Sequence, residues 1–391
     1  MIPKAVNSLT KADVDALLTE KVAEGRDLDY KLVLPGRGDE DKREFLADVS
    51  SFANAAGGDI VFGVAESCGT ADTIDGVTCP DIDAEKVRLE STIREGIQPR
   101  IGGVEIRAID GYANGPVIII RVPKSWSAPH MVAFKNTSRF YTRNNAGKHQ
   151  LDVGELRSAF AASEALGERL QRFRSDRLAK IVAGEMPVPM ASSAKMIVHV
   201  LPFASFNLGS YIDDRLQRII SMGFTPIASG GWSGRFNLEG YVTFSGSRRG
   251  GSPTESYCQF FRSGVIEGVW ADLVREHDRG QFIASVAYEK YLIEAIGSYL
   301  ETMRELGIPL PVLIATSMVG VKGAGLFVGS RMFMTEQWPI DRDVVLLPDV
   351  LVEQYEVDVP KVLRPIFDAV WNAAGFARSF NYDDEGNWKP S

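Results

Sequence analysis

"KREFLADVSSFANAAGGDIVFGVAE", residues 42–66, holds two structural signals in one block. Phe45, Val49, Phe52 and Ala56 recur at three- and four-residue spacing, which predicts an amphipathic helix over about 41–56. Gly57 and Gly58 break it. "DIVFGV" (59–64) is a short, almost wholly apolar run, the pattern of a strand buried on both faces, and it runs out at Glu66. A helix, a glycine pair and a buried strand together predict a mixed α/β unit.

The flanks extend that unit. Thr10 can cap a first helix whose Val14, Leu17, Leu18 and Val22 follow at helical spacing, with Gly25 as its stop. "EGRDLDYK" (24–31) opens a strand. Strand alternation puts Leu28, Tyr30, Leu32 and Leu34 on one face and Asp27, Asp29, Lys31 and Val33 on the other. "PGRGDED" is a loop. Downstream come a helix near 83–96, strands at "VEIRAID", "PVIIIRVP" and "SRFYTRNN", and a closing helix at "DVGELRSAFAAS". The "SRFYTRNN" strand sets Arg139, Tyr141 and Arg143 on one face.

Residues 1–163 therefore read as one α+β domain. Residues 164–190 read as a basic helix ("RLQRFRSDRLAK") followed by a Pro-rich linker ("GEMPVPMASS"). Residues 191–391 read as a second α+β domain. Its strands are expected near 195–201, 224–228, 236–244, 256–262, 311–316 and 344–348, and its helices near 211–221, 285–306 and 360–375. "GSRRGGSPT" is a flexible loop, and the end "NYDDEGNWKPS" reads as a loose tail.

At 391 residues, 45% hydrophobic and 24% charged, the chain has the composition of a soluble protein of two or three domains. Cys68, Cys79 and Cys258 are odd in number and lack CxxC spacing, which argues against disulfide frameworks and thiolate zinc sites and fits a reducing cytoplasm. No stretch approaches the roughly 20 apolar residues of a membrane span, and the start has no apolar signal core. The net charge of -8 means that nucleic-acid binding would need a local basic patch. Residues 100–150 supply one: Arg100, Arg107, Arg121, Lys124, Lys135, Arg139, Arg143 and Lys148 stand against only Glu105 and Asp110.

Most common catalytic signatures are missing. There is no Walker-type phosphate loop, so ATP is not expected, and no GxSxG elbow. "GVKGAGLFVG" lacks the strand–turn–helix context of a dinucleotide site. His130, His149, His199 and His277 lie far apart, with no HExxH. Carboxylates and basic residues remain. Neighbouring strands would let Asp29 and Glu66 approach at one sheet end, with Glu24 folding over the same spot. Three converging carboxylates call for a hard cation such as Mg²⁺ or Mn²⁺, and Lys31 on the Asp29 face could contact a phosphate. An ordinary solvated strand face is the competing reading.

"LDYK", the 42–66 block, "IDGV", "IREGIQPRI", "VIIIRVPKSWSAPHMV" and "RFYTRNNAGKHQL" follow one another in an order that resembles the AlbA_2 domain of Schlafen-like proteins, over about residues 15–160. The resemblance implies nucleic-acid binding. It further implies a metal-dependent endoribonuclease acting on tRNA-like structured RNA in preference to DNA, with Glu24, Asp29 and Glu66 as the acidic triad. Asp29 stands where the family usually has Glu, and Glu66 where it usually has Asp. The resemblance also recasts Lys124, Lys135, Arg139, Tyr141, Arg143 and Lys148 as a nucleic-acid-contacting set, and it implies a homodimer, since Schlafen cores pair two such lobes. The alternatives are a non-catalytic DNA- or RNA-binding regulator, and a sensor or partner-binding protein of a defence system.

Overall fold

In the computed structural model the chain divides into two compact units, Met1–Ala165 and Leu166–Ser391. The structure describes residues 1–4, 6–145, 147–191, 194–206, 218–219, 224–245, 253–277, 280–328 and 338–390. The helix expected over 211–221, apart from 218 and 219, and the loop over 246–252 lie outside the described residues.

The first unit begins with α1 (Lys11–Thr19), β1 (Leu28–Lys31), α2 (Asp39–Ala53), β2 (Gly57–Phe62), β3 (Val64–Ser67), β4 (Thr70–Ile74) and α3 (Ile82–Gly96). β5 (Ile97–Gln98), β6 (Glu105–Tyr112), β7 (Gly115–Pro123), β8 (Met131–Phe134), β9 (Thr137–Asn144) and β10 (Gly147–Gln150) follow, and α4 (Val153–Val182) has residues in both units. One sheet has the order β1-β2-β7-β6, a second β10-β9-β8-β5, and β3 with β4 forms a hairpin. β1 runs parallel to β2, with Asp29 opposite Ile60, while β7 is antiparallel to β2.

The first sheet is buried on both faces. Leu28, Tyr30, Val61, Val117 and Ile119 meet Val14 and Leu17 of α1 on one side. Ile60, Phe62, Ile118, Ile120 and Val122 meet Phe45, Val49 and Phe52 of α2 on the other. α2 also packs against β8, β9 and β10, so it lies between the two sheets. That explains why its polar residues Asp48, Ser50 and Ser51 are buried along with its apolar stripe. Its first turn, Asp39-Glu40-Asp41, suits the positive end of a helix. The glycine pair is sterically required. Gly57 has φ +75 and a Cβ there would lie 2.5 Å from the Lys124 backbone nitrogen, while one on Gly58 would lie 2.3 Å from the Phe52 ring.

Several boundaries differ from the sequence reading. α1 ends at Thr19 rather than at Gly25, before Lys21 at φ 48. β1 stops at Lys31, leaving Leu32 and Val33 exposed at 52% and 71%. Gly63, at φ +92, ends β2, so Glu66 belongs to the β3–β4 hairpin and not to the main sheet. The helices expected at 152–163 and 164–185 are one element, α4.

In the second unit, eight of the described strands form one sheet. Its order is Trp232–Asn237, Gly240–Ser245, Ser256–Phe261, Ile266–Trp270, Lys195–Pro202 and Val312–Val319, the last pairing with both Val344–Leu346 and Val350–Val352. Helices Ser285–Glu305 and Val359–Ala373 share a core with the sheet through Tyr288, Leu292, Ile296, Leu363, Ile366 and Phe367. Leu178 and Ile181, late in α4, pack with Ile197, Tyr257 and Val269. The strand expected at 224–228 is not formed; the chain turns there, with Ala228 at φ 56. The tail is not loose. Trp388 Nε1 donates to Glu289 Oε2 (2.7 Å), Tyr382 Oη to the Pro360 carbonyl (2.6 Å) and Lys389 N to the Asn381 carbonyl (2.7 Å). The cause is the buried Glu289 carboxylate, which also takes hydrogen bonds from Trp371 Nε1 and Ser379 Oγ, each at 2.8 Å.

Candidate nucleic-acid interface and the acidic cluster

Because Leu28 and Tyr30 enter the α1-side core, alternation turns Asp29 and Lys31 to the opposite face of β1. There Asp29, only 8% exposed, has Oδ1 3.0 Å from Arg143 Nη2 and Oδ2 2.8 Å from Lys31 Nζ. Lys31 Nζ is also 3.9 Å from Asp48 Oδ2. Lys148 Nζ lies 2.8 Å from Asp48 Oδ1 and 2.6 Å from Glu44 Oε1. The Arg143 guanidinium sits 3.8 Å from the Phe52 ring centroid, so stacking faces a group whose Nε and Nη1 are buried without a hydrogen-bond partner.

Local geometry builds this ladder. Glu44, Asp48 and Phe52 are successive i, i+4 positions on one side of α2, and Arg143 and Lys148 are directly opposite each other on β9 and β10. Three acids and three bases alternate in sign, which is how ions are tolerated away from water. Burial pushes the Asp48 carboxyl up, against the pull of Lys148 and Lys31. Burial alone would lower Lys31, but Asp48, Asp29 and Glu24 hold its ammonium above the usual range.

Glu24 lies between α1 and β1, where its Oε1 accepts the Tyr30 N–H at 2.6 Å. β1 is an edge strand, so Glu24 satisfies a backbone donor that the sheet leaves open. Its own N–H donates to the Gly69 carbonyl (2.7 Å), and the Gly69 N–H donates to Glu66 Oε2 (2.7 Å). Burial raises the Glu24 carboxyl; Asp29 and Glu66 add to that, against the Tyr30 N–H and Lys31. The three acids thus share one electrostatic neighbourhood, and each already holds a partner. Among the described residues, no group of three or more His, Cys, Asp or Glu side chains is placed to hold a metal ion.

The basic residues of 100–150 divide into two sets. Arg121 makes a two-pronged pair with buried Asp59 (2.7 and 2.8 Å) and holds the Ile2 carbonyl (2.9 Å), so it fixes the N-terminal segment. Arg143 and Lys148 belong to the ladder, and Tyr141 packs against the α2 core. Lys135 is exposed and paired with Asp39. Lys124 is exposed, with its ammonium 4.7 Å from the Trp126 ring centroid. Arg139 and Arg100 are exposed and have no ion-pair partner among the described residues.

His130 is scaffold. It is fully buried, and burial lowers its pKa against the hydrogen bond to the Pro99 carbonyl. Nδ1 lies 2.7 Å from that carbonyl, which can only accept; Nε2 therefore accepts from Ser125 Oγ at 2.5 Å. Asn54, where α2 ends, donates to the carbonyls of His130 and Tyr141 (2.9 and 2.8 Å) and accepts from His130 N (2.6 Å). The sequence reading missed Glu44 and Asp48 as partners of the cluster. Their four-residue spacing ahead of Phe52 was the available signal.

Residues 24–152, all within the first unit, match the family model described as Schlafen, AlbA_2. No curated protein matches the chain. Among solved structures, the DIP2311 protein from Corynebacterium diphtheriae is similar at 20% identity and a TM-score of 0.26, covering 36% of this chain. The match spans 26% of that protein's own chain. The N-terminal domain of a RecG-related protein from Nitrosomonas europaea is similar at 21% identity and a TM-score of 0.23, covering 28% of this chain and 70% of that one. Among the described residues, no helix is long and apolar enough to cross a membrane.

Proposed function

We propose that the first unit binds RNA or DNA as a non-catalytic regulator, through exposed cations at its rim, and that the acids around β1 are part of its framework. The observation that carries this reading is the ion-pair ladder: Asp29 lies between Lys31 and Arg143, at 2.8 and 3.0 Å, so each of its oxygens already faces a cation of the protein itself. Lys124 and Arg139, in contrast, are exposed, and such groups bind phosphate without reading sequence. Lys135 joins them when it leaves Asp39. A two-fold dimer would bring two such rims to one groove, as the family resemblance suggests.

Fluorescence anisotropy of a labelled structured RNA, titrated at several KCl concentrations, tests the reading. Binding should weaken steeply with salt, and K124A/R139A should weaken it about tenfold at physiological salt while flattening the salt slope by about 1.4. Binding that ignores salt, or a double variant that binds like the parent, contradicts it. Cleavage is the second reading. It draws on the raised Glu24 carboxyl, which feels both Asp29 and Glu66.

A further inference from the structure

Trp126 is a partly buried indole that belongs to none of the hydrophobic clusters of the described residues. It lies in the segment joining β7 to β8, and the Lys124 ammonium stands over its ring at 4.7 Å. A large aromatic outside the core needs a reason, because its apolar surface gains nothing from water.

The segment that carries it is held at many points. Ser125 N donates to the Ala53 carbonyl at 2.9 Å. Ser127 N donates to Ser125 Oγ at 3.2 Å, and that hydroxyl donates to His130 Nε2 at 2.5 Å. His130 is tied in turn to Pro99 (2.7 Å) and Asn54 (2.6 Å). Arg100, exposed, follows directly on the Pro99 whose carbonyl closes this network. Trp126 is therefore displayed on a rigid stretch with a cation on it and a second cation beside its anchor. A preformed platform loses little entropy when a ligand docks.

We propose that Trp126 is a stacking platform for an unpaired base, with Lys124 and Arg100 taking the flanking phosphates, so that the ligand class is single-stranded or looped nucleic acid rather than continuous duplex. This rests on the nucleic-acid-binding reading above and deepens it. A duplex base has both faces occupied by its neighbours and offers none to an indole, whereas an unpaired base offers either. A base on the ring would take the face over which the Lys124 ammonium now stands, and would free that ammonium for the neighbouring phosphate.

The test compares the full chain with W126A and W126F at one salt concentration. The probes are an unstructured RNA of about 20 nucleotides, its DNA counterpart and the matching duplex. W126A should lose about tenfold or more in affinity for both single strands and stay within about twofold on the duplex, and W126F should recover most of the loss. Stacking uses the base and not the sugar, so RNA and DNA should lose alike. An equal loss on single strand and duplex, or no loss on either while circular dichroism shows W126A folded, overturns the assignment and leaves the nucleic-acid-binding reading in place. A parent chain that binds none of the probes overturns both.

Discussion

Asp29 is where a catalytic carboxylate and a structural one make opposite predictions. Its two oxygens are claimed by Lys31 and Arg143 in a setting where Arg143 is 5% exposed. Asp29→Ala leaves the buried Arg143 guanidinium without its anion and Lys31 with only the more distant Asp48, which costs about 3–5 kcal/mol. In a unit of this size that lowers the melting temperature by about 10 °C, to be read by thermal denaturation. A carboxylate kept only for chemistry would leave the melting temperature unchanged. The sequence placed Asp29 and Lys31 together on one strand face, because alternation is a local property. It did not reveal the pairing of Asp29 with Arg143, which lies 114 residues along the chain and depends on how the second sheet meets α2. It offered Arg139, Tyr141 and Arg143 as a shared face, and they are three different things: an exposed cation, a core ring and a buried ion.

At the level of elements, periodicity located α2, β7 and the two long helices of the second unit well, since each buries a continuous apolar stripe. It could not tell that α2 would have a sheet on either side, which is what turns Asp48 from a solvated residue into a buried one. The tail misled for a similar reason, because its polar composition conceals Trp388, whose indole N–H a distant carboxylate holds together with Ser379 just before the tail. Glu289→Ala should free that tail, giving trypsin cleavage after Arg378 in limited proteolysis under conditions where the parent is resistant. The sheet of the second unit carries a comparable lock. Burial pushes the Glu267 carboxyl up, but Arg177 (2.7 and 2.8 Å) and His199 (3.0 Å) outweigh it and hold it down to about 2, from an ordinary 4.5. A lowered carboxyl stabilises above its unfolded value, and the contribution fades as pH falls from 4.5 towards 2. Denaturant titrations across that window should lose roughly 3 kcal/mol that Glu267→Gln never has.

Across the whole molecule, the net charge of -8 conceals a division of labour among the bases of the first unit. Arg121, Arg143 and Lys148 hold the fold together, while Arg100, Lys124 and Arg139 stand at the surface. Family-like residues pointed to the first unit because its motifs are tied to backbone demands, such as the glycine pair and Asn54. The second unit offered patterning alone, and patterning gives architecture without a ligand. The central claim is that the first unit holds nucleic acid on surface cations around an ion-paired acidic framework. Its most direct test incubates purified chain with a tRNA-like RNA and Mn²⁺, beside Glu24→Gln, and resolves the products on native and denaturing gels. The account predicts a salt-sensitive shift on the native gel and full-length RNA on the denaturing gel for both proteins. Discrete Mn²⁺-dependent fragments from the parent, lost in Glu24→Gln, would contradict it and return the acids to catalysis.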